Sequence, residues 1–166
     1  MKKIILCLSV ATTFILTSCG PSQNDAIKYN DQIVSVQKSL LPIHEAFIDQ
    51  IDGHNVDSLK IVHEQFTAKA KSTLEECQKM KDFNGKREYL EAALDYFKAI
   101  QGLADNEGKQ IVQIMTKDSS QVTEKDVADV TAFAAKFDSE YARVLKQVQD
   151  AQMAFSKEWK FEIKAD

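Results

Sequence analysis

AIKYNDQIVSVQKSLLPIHEAFIDQID, residues 26–52, is the stretch whose reading decides the fold. Tyr29, Ile33, Val36, Leu40, Ile43, Phe47 and Ile51 recur in alternating steps of four and three. That spacing lays them along one face of an amphipathic α-helix. Ser22 and Asp25 upstream offer a capping-box start, and Gly53 downstream offers a stop. A helix with one apolar stripe must bury it against a partner, and the rest of the chain supplies three more of the same kind.

The second stripe passes through Val56, Leu59, Val62, Phe66, Ala70, Thr73, Cys77 and Met80 and ends at Asn84-Gly85. The third follows Leu90, Ala93, Phe97, Ile100, Ala104, Ile111 and Ile114. The fourth is the longest: Val127, Val130, Ala134, Phe137, Tyr141, Val144, Val148, Ala151, Phe155 and Trp159, with Thr123 as its N-cap. Five Gly and two Pro in 166 residues leave few breakers. Short polar turns near 52–55, 83–85 and 118–123 join the segments. The spacing therefore predicts an all-α chain, an up-down-up-down antiparallel four-helix bundle over residues 23–166. The last helix, read as Glu124 to Phe161, would run ~57 Å and overhang its partners.

Ahead of the bundle stand Lys2 and Lys3, an apolar run from Ile4 to Leu16, then Leu16-Thr17-Ser18-Cys19 and Gly20. The run is too short to span ~30 Å of hydrocarbon, which takes ~20 residues. Basic residues, a short apolar core and small residues before a cysteine make a lipoprotein export signal over residues 1–18. Cys19 is then the lipidated first residue of the mature chain, and residues 19–22 are a short tether. The expected location is the bacterial cell envelope, with the outer membrane favoured and its periplasmic or surface face left open.

Removing 18 residues from 166 leaves 148, enough for one domain with a core. The whole chain carries 21 basic and 25 acidic residues; without Lys2 and Lys3 the balance falls to −6. That sign argues against nucleic acid as a partner and leaves membrane attachment to the lipid on Cys19. Cys7 leaves with the signal and Cys19 is consumed, so Cys77 is the lone thiol, expected to be buried on its stripe.

Phosphate-cradling Gly-rich loops, haem-attachment motifs, His-Glu-x-x-His and Glu-x-x-His pairs are all missing from the sequence. One polar constellation remains. A first turn centred between Gly53 and His54 sets His44 and His63 at equal height. Glu107, seven residues after Ile100, stands at a stripe position where a carboxylate needs a partner. Pro42 and Gly108 weaken their helices at the same level. His44, His63 and Glu107 are thus the candidate ligands of a divalent metal, the alternative to a cofactor-free protein. The plainer reading makes the two His partly exposed flank residues and has Glu107 either turn to solvent or form a salt bridge. Phe155, Trp159 and Phe161 form a candidate binding patch if the end of the last helix is uncovered, and an end plug if it is not.

Tyr29-Asn30-Asp31-Gln32-Ile33-Val34, followed by Gln37, resembles the opening helix of small bacterial envelope lipoproteins found in Bacteroidota and spirochaetes. The resemblance implies an envelope location and a helical domain, and carries over no catalytic residue. The expectation is a lipid-anchored, non-enzymatic binding or assembly module facing a protein partner in the envelope.

Overall fold

The computed structural model describes residues 20–53 and 56–163. The leader, Cys19 and His54 lie outside the described residues. Within them all helices and no strands are found, apart from an isolated bridge between Phe83 and Lys86.

Helix α1 spans Gln23–Asp52. It begins where the sequence says: Ser22 accepts from the Asp25 amide while the Asp25 carboxylate accepts from Ser22, and Gly53 ends it. Helix α2 spans Val56–Gln78, and α3 spans Glu88–Leu103. Between them Asn84 and Gly85 take φ of 56° and 76°, the left-handed pair that an Asn-Gly hairpin turn requires. Phe83 and Lys86 close the turn with reciprocal backbone bonds of 3.2 and 3.0 Å.

The third amphipathic segment is one rod in sequence but not in winding. A π-turn over Ala104–Gly108 separates α3 from α4, Lys109–Met115. A single wide turn shifts the helical phase, so adjacent residues face inward in pairs: Leu103 with Ala104, Glu107 with Gly108, Ile111 with Val112. A short 3₁₀ turn, Ser119–Gln121, leads into α5, Glu124–Trp159. At 1.5 Å per residue α5 is ~54 Å long, the longest rod.

The four rods share one apolar core containing Ile33, Leu40, Phe47, Leu59, Phe66, Phe97, Ile100, Phe137, Val144 and Val148. Cys77 is fully buried within it, as its stripe position predicts, and burial pushes its thiol pKa up to about 11. Thr73, a polar residue on the second stripe, is buried because its hydroxyl donates back to Lys69 and Ala70 carbonyls at 3.0 and 2.9 Å.

Two expectations change at the ends of α5. Its first turn presents Asp126 inward at 8% exposure and Val127 outward at 60%. The capping box decides this. Asp126 folds back to accept from the Thr123 amide and hydroxyl and also takes Lys117, which turns the neighbouring Val127 to solvent. At the other end the helix does not overhang. It stops at Trp159, with Lys160 left-handed at φ 57°, and the Lys160 carbonyl accepts a hydrogen bond from Gln23 at the start of α1.

Candidate functional site

Each residue of the polar belt has found its own neighbour. His44 on α1 stacks on Tyr141 of α5, with ring centroids 4.6 Å apart and planes 17° apart, and on Phe137 at 5.8 Å. Its Nε2 is buried without a hydrogen-bond partner. Desolvation lowers the pKa of this imidazole, against the opposing pull of Glu45 and Asp138. His63 on α2 packs against Phe47, and its Nε2 lies 2.8 Å from the Ala104 carbonyl oxygen. A carbonyl only accepts, so Nε2 carries the proton there. Gly108 adjoins this contact: a Cβ there would meet the His63 ring at an ordinary 3.4 Å and the Leu103 carbonyl oxygen more tightly at 3.3 Å.

Glu107 points inward at 7% exposure and accepts from Lys136 of α5 at 2.5 Å. The stripe-position carboxylate is thereby the buried half of an ion pair whose ammonium reaches out to solvent. His44, His63 and Glu107 are therefore not gathered as a metal-ligand set. Aromatic rings, a backbone carbonyl and a lysine occupy them separately. Among the described residues no three His, Cys, Asp or Glu side chains are grouped to hold a metal ion.

The aromatic candidates form a plug. Phe155 is 7% exposed and touches Tyr29, Phe83 and Tyr89, with centroids 5.7, 5.5 and 5.2 Å away. Trp159 meets Phe83 edge-on at 4.9 Å, and Phe161 folds against Phe155 at 6.0 Å. The turn between α2 and α3 supplies Phe83, and the start of α1 supplies Tyr29, so the end of α5 is covered. Beside the plug, buried Asn30 accepts from the Tyr89 hydroxyl at 3.2 Å and the Gln152 amide at 2.9 Å, joining α1, α3 and α5.

Exposed apolar side chains such as Ile61 and Met153 are scattered over the surface, but at the opposite end several come together. Ile51 at the end of α1, Ile114 and Met115 at the end of α4, and Val122, Val127 and Val130 around the start of α5 line a cup of about 280 Å³. Val122 is 41% exposed and Val127 60%. The cup lining holds one charged residue, Asp126, whose pKa is held down to about 2 by the hydrogen bond from Lys117 and by the Thr123 cap. Sequence reading missed this cup because it put Val127 on the core stripe and Val122 in a polar loop. The signal present was Val122 itself, a β-branched apolar residue among Ser, Gln and Thr.

The described residues thus define an all-α, four-rod protein with a plugged end and an open apolar end. Comparison with family models, curated proteins and solved structures found no match to the chain. No helix among the described residues is long and apolar enough to cross a membrane.

Proposed function

We propose that this chain is a lipid-tethered cell-envelope protein, an up-down-up-down antiparallel four-helix bundle that acts without catalysis as a binding or assembly module. The observation that carries the reading is the apolar cup at the far end of α1. Soluble surfaces scatter single apolar residues, and here six are drawn together in one concavity, which supports a contact site. Its place fits a tether. The leader pattern ends at Cys19, a few residues before Gln23, and α1 is about 45 Å long by its 30 residues. A chain held by lipid at Cys19 would carry the cup away from the bilayer, where an envelope protein can reach it.

The antiparallel course of α1 and α2 is supported by the pairs they make: Gln50 with Ser58, Phe47 with Phe66. The outer membrane is the proposed location, and a triacylated Cys19 the proposed anchor.

Two measurements test the proposal in the native cells. Metabolic labelling with an alkynyl fatty acid should tag the chain, and Cys19→Ala should abolish the tag and move the protein from the membrane to the soluble fraction. A photocrosslinker in place of Val127 should give a discrete adduct that the same group in place of Arg143, exposed on the outer face of α5, does not. Unlabelled protein sinks the anchor, and equal adducts from both positions sink the docking end.

A further inference from the structure

We infer that the cup takes one bulky apolar side chain from a cationic segment of a partner protein. The inference rests on the docking end proposed above and names its occupant. Size comes first. At about 280 Å³ the cup falls just below the ~300–1,000 Å³ of small-molecule pockets and suits a single anchoring side chain, the usual centre of a protein contact.

Charge selects what surrounds the anchor. Of the lysines at this end, Lys117 pairs with Asp126 and Lys125 with Asp129, and Lys60, near the start of α2, is exposed along with Asp57. Asp52 beside Ile51, and Asp118 and Glu124 flanking the loop that carries Val122, are exposed, and among the described residues no cation pairs with them. Asp118 is held in its charged form by hydrogen bonds from the Ser120 side chain and amide. An apolar cup with an acidic rim and no cation in its lining attracts a basic flank and repels an acidic one. A second copy of this chain, with formal charge −4 and the same acidic rim, is disfavoured by that repulsion.

The test uses the full chain in phosphatidylcholine nanodiscs, with empty nanodiscs as the blank. Fluorescence anisotropy follows three labelled peptides: leucines flanked by lysines, the same leucines flanked by glutamates, and the lysine peptide with its leucines replaced by serine. The lysine–leucine peptide should bind about tenfold or more tighter than either control, a difference of about 1.4 kcal/mol. Val127→Asp, at a 60% exposed position, should weaken it about tenfold with an unchanged circular-dichroism melt. Asp52→Lys with Glu124→Gln should lower affinity and flatten its salt dependence.

Equal binding of lysine and glutamate peptides overturns the charge selection and leaves an apolar docking end. Equal binding of the leucine and serine peptides overturns the anchor, since rim charge alone then suffices. Binding that ignores both Val127→Asp and Val122→Ser puts the peptide elsewhere and overturns the docking end with it. A dimer in sedimentation that Val127→Asp dissolves identifies a second copy as the occupant and overturns the cationic partner. No binding by any peptide overturns the inference, while the Val127 crosslink judges the docking end independently.

Discussion

At the residue scale the chain shows how a polar side chain is tolerated on an apolar stripe. Glu107 and Lys136 divide the work: the carboxylate is buried and the ammonium rises to water. Lys136→Met should therefore cost about 1–3 kcal/mol, the penalty of a buried carboxylate left without its donor, and Glu107→Leu in the same chain should recover most of it. Urea denaturation of the single and double variants reads this directly. His44 supplies a pH effect of definite sign. Its pKa is lowered in the folded chain, so below about 6.5 the unfolded chain binds the proton first and stability falls as pH falls. Above that range its contribution is complete. The melting temperature should drop between pH 7.5 and 5.5, and His44→Phe, which keeps the stack on Tyr141 and removes the buried unpartnered Nε2, should lessen the drop.

At the element scale the starts of α1 and α5 were legible because capping is local chemistry. Ser22 with Asp25 and Thr123 close their helices with side chains three residues away, which sequence spacing alone reveals. The Asn84-Gly85 turn was legible for the same reason. Gly85 sits at φ 76° in open space, so Gly85→Ala meets no clash and tests the backbone alone. It should destabilise by about 1–2 kcal/mol, measurable as a shift in urea midpoint with unchanged slope. The π-turn was not legible. Gly108 and Glu107 flagged the place, but the extra residue of winding is seen only in the fold, where His63 meets the Ala104 carbonyl and Lys136 the Glu107 carboxylate. No periodicity within that stretch encodes it.

At the scale of the whole molecule the two ends differ in kind. The plugged end ties α1, α3, α5 and the α2–α3 turn through Tyr29, Phe83, Tyr89, Phe155 and Trp159. Trp159 is the single tryptophan, so its fluorescence reports on that knot. Urea unfolding followed by Trp159 emission and by far-ultraviolet circular dichroism should superimpose, because an end joined to three helices opens only with the core. An earlier fluorescence transition would mean that the end frays on its own. The open end carries the cup, and among the described residues no such knot closes it, which leaves its apolar residues available for contact.

By itself the sequence determined the helical class, the four stripes, the caps, the Asn-Gly turn and the burial of Cys77. Each of these is written in steps of three and four residues or in neighbours along the chain. Only the tertiary structure decided which stripe-edge polar groups met which partners. His44 found rings on α5, His63 a carbonyl in the π-turn, and Glu107 a lysine 29 residues away. It also decided that the aromatic end is closed and the valine end open. Those outcomes depend on relative helix length and rotation, and a rotation of one residue at Asp126 and Val127 exchanges core for surface without changing the pattern that predicts the helix.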